Sequence, residues 1–293
     1  MEGTVLQVTQ KYQLVDESFS QGMVDRAILL AILDEERFTY CILDAARQKV
    51  VVLKDYRIVP KTKEGLATHF MEQVLEQDET LSSLNADKII FSVHTNCSAI
   101  VPSPLFSKGQ AKDILSLTCQ LQNDSRVYDD LIKLADAHHI YAVPENFLKE
   151  TGTHFKELNL FNANTAFIES QLMLNKHHEE AIVAVNVRSG SFDVVITQGS
   201  ELLFSNIFNY ETSEDFIYYL LFTLEQLELN PDITAVRFYG DIDKLSSAWM
   251  VSKKYIRNVS FGEWPEGIEF SYGFQRIAAH QYFVLFSQHL CVS

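Results

Sequence analysis

Four residues near the middle of the chain, Asn186, Arg188, Ser189 and Gly190, have the types and spacing of a phosphate-binding turn. They lie in AVNVRSGSFDVV, residues 184–195, a polar turn between two apolar runs. A glycine there lets backbone N–H groups approach an anion with no side chain in the way. A second candidate is VRFYGDID, where Gly240 and Asp241 follow an apolar strand-like run. A lone glycine after a strand is also ordinary turn chemistry.

Other chemistry finds little support. The chain has no GxSxG elbow, HExxH, GxxxxGK[ST] or GxGxxG. His94 and Cys97 form an HTNC pattern with no second pair nearby in sequence. His138–His139 and His177–His178 are adjacent pairs, whose members point to opposite faces in an extended segment, so they read as surface or helix-end histidines. Ser189 has no evident base and reads as turn chemistry. Asp129–Asp130 reads as the acidic opening of a helix, and Asp241 with Asp243 as another. No catalytic residue and no metal site are expected.

The 293 residues carry a net charge of −15 and a pI near 5, which argues against a nucleic-acid or anionic-membrane partner. The first twenty residues lack a basic segment and an apolar core, and no apolar run approaches the ~20 residues that cross a bilayer. A cytoplasmic protein with no membrane insertion is expected. Cys41, Cys97, Cys119 and Cys291 are far apart and contain no CxxC pair, the pattern of reduced, mostly buried thiols.

The elements that must position these residues follow from periodicity. Residues 1–24 read as an extended leader that pairs at a sheet edge. RAILLAIL, RFTYCIL and KVVVLKDY are short apolar runs separated by turns, a strand meander. KEGLATHFMEQVLEQ follows with Leu66, Phe70 and Val74 on one helical face beside Ala67, Met71 and Leu75. DKIIFSVH reads as a strand, residues 107–121 and 126–137 as helices, HIYAVP as a strand and NANTAFIESQLMLNKHH as a helix. The polar NKHHEE marks a boundary between segments 25–177 and 178–293. The end of the chain, FQRIAAHQYFVLFSQHL, reads as a docked helix.

A shift of 154 residues lays 179–210 on 25–56 without a gap, Ala27 meeting Ala181, Ile28 meeting Ile182, Phe38 meeting Phe192 and Tyr56 meeting Tyr210. Both turns coincide. The order of elements repeats as well, with SEDFIYYLLFTLEQLEL against KEGLATHFMEQVLEQ and ITAVRFYG against KIIFSVH, so one strand-rich unit is duplicated. The alternative is two unrelated mixed modules with matching hydrophobic patterns.

Three strands, a helix, a strand and a helix, given twice, resemble the actin-like ATPase group of actin, Hsp70 and the sugar kinases, and more closely an uncharacterised bacterial family with that fold. The resemblance covers the chain from about residue 25 onward and rests on layout. It implies an α/β fold of two duplicated, ribonuclease H-like subdomains, each a mixed sheet with meander strands first and helical crossovers after. In that group each first hairpin carries an Asp-x-Gly loop, the aspartate serving the Mg²⁺ shell. Here the second-unit positions are Asn186, which offers a metal a carbonyl oxygen but no charge, and Arg188, which either fills the space a phosphate needs or binds the anion itself. The first-unit positions are Ile32, Leu33 and Asp34, followed by Glu35 and Glu36, where three acids repel a triphosphate. The strand ending in paired glycines is met by Gly240 and Asp241.

The expected function is a non-catalytic binding or scaffold protein that needs no cofactor. The alternative is an ATPase or kinase-like protein that holds ATP and Mg²⁺ in an interdomain cleft through a diverged clamp, Asn186, Ser189, Gly190, Gly240 and Asp241. Bacterial relatives of the fold include cell-division and pilus-assembly proteins, and some members have lost nucleotide binding. The helix of SEDFIYYLLFTLEQLEL is apolar almost all round. It is either buried within its own subunit or presents Tyr218, Tyr219 and Phe222 to a protein partner or a second copy.

Overall fold

The apolar runs that open each half fold as antiparallel meanders in a computed structural model, which describes residues 7–17, 19, 26–59, 70–155 and 157–292. The chain runs β1 (Gln7–Val15), β2 (Ala27–Leu33), β3 (Arg37–Asp44), β4 (Lys49–Val59), α1 (Phe70–Gln77), α2 (Glu79–Ser82), β5 (Lys88–Val93), β6 (Ser98–Pro102), α3 (Ala111–Ser116), β7 (Ser125–Ile132), β8 (Ala137–Pro144), α4 (Glu145–His154), β9 (Asn159–Asn162) and α5 (Ala163–Asn175). It continues through β10 (Ile182–Arg188), β11 (Ser191–Gln198), β12 (Glu201–Asn209), α6 (Ser213–Gln226), β13 (Ala235–Gly240), α7 (Ser247–Tyr255), β14 (Asn258–Phe261), β15 (Glu269–Phe270) and α8 (Phe283–Ser287). Two compact units result. One holds residues up to Leu131, Ala137–Thr165 and Glu266–Ile277; the other holds Ile132–Asp136, Ala166–Pro265 and the chain from Ala278 on.

The first unit is built on a sheet ordered β1-β4-β3-β2-β5-β9, with β15 beside the start of β4. Strands β2 to β4 are antiparallel, whereas β5 and β9 join in parallel after helical crossovers. Leu29, Ala31 and Leu33 alternate onto one face with Phe38, Tyr40 and Ile42, and α1 covers them with Phe70, Met71 and Val74. The start of the predicted α1 helix, including Leu66 and Ala67, lies outside the described residues. Segment 7–15 lies extended along the edge of β4. A small three-stranded sheet, β6-β8-β7, packs Val101, Ile140 and Ala142 on Ala111 and Leu115 of α3.

The second unit repeats the plan as β12-β11-β10-β13-β14. Leu33 faces Phe38 as Val187 faces Phe192, so the register of the first hairpin recurs at the same 154-residue shift. The second turn does not coincide. Asp44 pairs with Lys49, but Gln198 pairs with Glu201, a loop two residues shorter that turns on Gly199 at φ 57°. The gapless overlay of Tyr56 on Tyr210 therefore slips: Phe38 pairs with Tyr56, and Phe192 with Phe208. One face of this sheet carries Val183, Val185 and Val194 under α6 and α7. On the other, Asn175 of α5 donates to Thr197, and Tyr239 meets Phe167 and Phe283.

Several expectations fail for local reasons. The helix expected over 126–137 is β7 followed by a 3-10 turn, Lys133–Ala135. Asp130 suits a strand poorly by propensity, but its buried carboxylate accepts from Asn162 N at 2.8 Å, Thr165 Oγ1 at 2.7 Å and Tyr141 Oη at 3.1 Å. The Asp129–Asp130 pair therefore opens no helix. His139, expected near the surface, is buried against Thr165. The helix expected over 107–121 shrinks to a 3-10 turn and α3, and the terminal helix breaks into α8 between two 3-10 turns.

Cys97 and Cys119 are joined in a disulfide, their Cα atoms 5.4 Å apart, so they are not the reduced thiols their spacing indicated. The turn after α3 returns the chain to the start of β6, a proximity that a separation of 22 residues does not reveal. Cys41 is free and buried; the side chain of Cys291 lies outside the described residues. Among the described residues no helix is long and apolar enough to cross a membrane.

Candidate functional site

The hairpin β10–β11 closes in a two-residue turn, Ser189–Gly190, because Gly190 accepts a φ of 72° that side chains resist. Both turn residues are exposed. Tyr210, just after β12, fastens the turn: its N–H donates to Gly190 O at 3.1 Å and its hydroxyl to Arg188 O at 3.2 Å. Burial, then the nearby charge of Asp241, raises the Tyr210 hydroxyl above its usual range against the opposing pull of Arg188.

Behind the turn sits a residue that sequence reasoning passed over. Asp193 is fully buried and lies opposite Asn186 in the strand register. Asn186 Nδ2 donates to its Oδ2 at 2.9 Å. Arg188 folds back onto the same carboxylate, with Nε 3.3 Å from Oδ2 and a terminal nitrogen 3.2 Å from Oδ1. Neither Asn186 nor Arg188 is spare, since the amide and the guanidinium both serve one buried acid. The alternation of FDVV placed Asp193 on the face of Asn186, which was the available signal.

Gly240 is brought alongside by β13, which runs parallel to β10 and sets Gly240 opposite Val187. At φ 80°, a Cβ on Gly240 would stand 2.2 Å from Val187 O and 2.6 Å from Asn186 Oδ1, so only glycine fits. Asp241 N donates to Val187 O at 2.8 Å, and its side chain is exposed. Asp243 instead accepts from Leu245 N and Ser246 N in the turn before α7. Asn186, Arg188, Ser189, Gly190, Gly240 and Asp241 thus gather at one end of β10 and β13. Among the described residues no group of three or more His, Cys, Asp or Glu side chains is placed to hold a metal ion.

In the first unit, the equivalent hairpin turns through Asp34, Glu35 and Glu36, with Asp34 Oδ1 accepting from Glu36 N at 2.9 Å. Arg37 there forks onto Asp55 at 2.8 and 2.6 Å. His94 and Cys97 line a cavity of about 180 Å³ that Glu35 also borders, and Cys97 is committed to its disulfide.

Helix α6 starts on a capping box in which Thr212 Oγ1 accepts from Asp215 N and Asp215 accepts from Thr212 N. It buries Phe216, Ile217, Leu220 and Leu224. Tyr219 stacks on Phe208 of β12 at 5.3 Å, while Tyr218 and Phe222 stack on each other at 6.1 Å with 61% and 45% of their surface exposed.

This architecture matches solved structures. One is a Bacteroides thetaiotaomicron protein with actin-like ATPase fold and unknown function, at a TM-score of 0.70 and 17% identity over 83% of this chain and 93% of that one. Another is a PilM–PilN type IV pilus biogenesis complex, at a TM-score of 0.58 and 10% identity over 90% and 98%. At such identities the likeness establishes the fold, which is that of the actin-like ATPases. No curated protein matches the chain. Residues 16–259 match the family described as "Protein of unknown function (DUF3822)", and the chain belongs to that family.

Proposed function

We propose that this protein is a non-catalytic, protein-binding scaffold on an actin-like ATPase fold. The observation that carries this reading is the buried Asp193, which engages both Asn186 and Arg188 behind the turn where the fold's clamp would act. A metal or phosphate there would compete with hydrogen bonds already made to a desolvated carboxylate. The first-unit turn supports the same reading, since Asp34, Glu35 and Glu36 repel a triphosphate. The pilus-biogenesis structure is itself a complex of two proteins, which is in keeping with a binding role.

Calorimetric titration with ATP and ADP in the presence of Mg²⁺ tests the proposal, with no binding heat expected; micromolar affinity overturns it. A second reading, a diverged nucleotide site using Asn186, Ser189, Gly190, Gly240 and Asp241, draws on the close approach that Gly240 permits. Its test is the double substitution Arg188→Gly with Asp193→Asn, which vacates the guanidinium without stranding a buried charge. Gain of ATP binding in that variant identifies Arg188 as the block.

A further inference from the structure

We propose that the corner between β12 and α6 receives an extended, basic segment of a partner protein, paired antiparallel with β12. This deepens the scaffold reading above by naming the surface and the chemistry of what it binds. The template is internal. In the first unit the equivalent corner is filled by β1, which lies antiparallel on β4 and buries Val8 in the core beneath α1. Two glutamines of α1 grip it: Val8 N donates to Gln73 Oε1 at 3.1 Å, and Gln77 Nε2 donates to Val8 O at 3.3 Å.

In the second unit β12 is the counterpart of β4 and α6 that of α1, and among the described residues no strand lies outside β12. Its sequence, ELLFSNIFN, has neither the Lys nor the Pro that guards natural edge strands. The turn Lys133–Ala135 also runs beside β12, but its backbone is held by Glu169 of α5, on the face away from α6. On α6, Tyr219 stacks on Phe208 of β12, and the exposed Tyr218 meets Tyr219 edge-on at 5.4 Å and stacks on Phe222.

Charge decides the chemistry of the occupant. Between Arg188 and Arg237 the chain holds eight Asp or Glu and no Lys, Arg or His. Glu201, Glu211, Glu214 and Glu225 are all exposed around the corner. The native strand β1, QVTQKYQLV, carries a lysine and no acid. A fitting segment alternates apolar residues with Lys or Arg: the apolar set enters beside Phe208, the cations meet the glutamates, and a guanidinium stacks on Tyr218.

The probe is a fluorescein-labelled peptide of about ten residues, the length of a long strand, alternating Val or Tyr with Lys or Arg. Anisotropy should saturate, amide exchange should slow along β12, and Tyr218→Ala with Phe222→Ala should weaken binding about tenfold or more. Both side chains are exposed, so the variant keeps its fold, checked by circular dichroism. Absence of saturation, equal binding of the peptide with Glu for Lys and Arg, or binding without protection of β12 overturns the proposal. So does a dimer in sedimentation velocity that Tyr218→Ala dissolves, which gives the corner to a second copy. Loss of peptide binding alone leaves the scaffold reading standing, whereas nucleotide heat removes the scaffold reading and not the peptide result.

Discussion

The two first hairpins share a register and differ in how they fill the space behind the turn. In the first unit Arg37 of β3 reaches Asp55 of β4, and the carboxylate lies 3.4 Å from Thr39 Oγ1. In the second, Arg188 of β10 reaches Asp193 of β11, which occupies the position of Thr39 under the 154-residue shift. A buried carboxylate thus reaches the same place from different strands, each time forked by an arginine. Both halves thus hold a hydrogen-bonded carboxylate paired with an arginine behind the first turn.

Removing the acids separates the halves most sharply. Asp193→Ala strands Arg188 and Asn186 in a buried site and should cost about 3–5 kcal/mol in urea unfolding. Asp55→Ala should cost less, because the Arg37 side chain is 24% exposed against 11% for Arg188 and recovers water more easily. Equal losses would show that exposure does not set the difference.

The next contrast is covalent. The small three-stranded sheet rests on few buried side chains and is stapled by Cys97–Cys119, whereas the second unit shows no disulfide among its described residues. Cys97→Ser with Cys119→Ser should destabilise that sheet by about 3 kcal/mol through the freed loop. Hydrogen exchange should quicken in β6 and β8 and leave β10 and β11 unchanged.

The smallest effect is one of pH. Burial pushes the Asp130 carboxyl up to about 6, although Asn162, Thr165 and Tyr141 oppose it; the unfolded value is 3.8. Between these values the folded chain holds a proton that the unfolded chain has lost, so stability falls as pH rises from about 4 to 6, by on the order of 2 kcal/mol. Asp130→Asn should flatten that slope. Asp78 acts in the opposite sense. Burial alone would raise it, but Lys54, Tyr40, Tyr56 and the N–H of Leu81 together hold it low, so its contribution is lost on acidification. Subtracting the variant's curve from that of the parent isolates Asp130.

Strand alternation and apolar periodicity made the meanders, α5 and α6 legible in the sequence. Local pattern failed where a distant contact sets the outcome. Asp129 and Asp130 read as a helix start because their strand depends on Tyr141 and Thr165, which lie in other elements. Asp193 drew no attention because its partners precede it across a turn. The disulfide was hidden because nothing in the spacing of Cys97 and Cys119 reports the path of the chain between them.

Strand β15 lies beside the start of β4, and Glu269 N donates to Gln48 O at 2.6 Å. On a ribosome, residues 49–59 emerge long before 269–270, and nearly the whole second unit is synthesised in the interval. The first unit therefore waits for residues 269–270 to finish one edge of its sheet. A nascent chain stalled near residue 265 would present that stretch of β4 uncovered, a natural point of engagement for chaperones during synthesis.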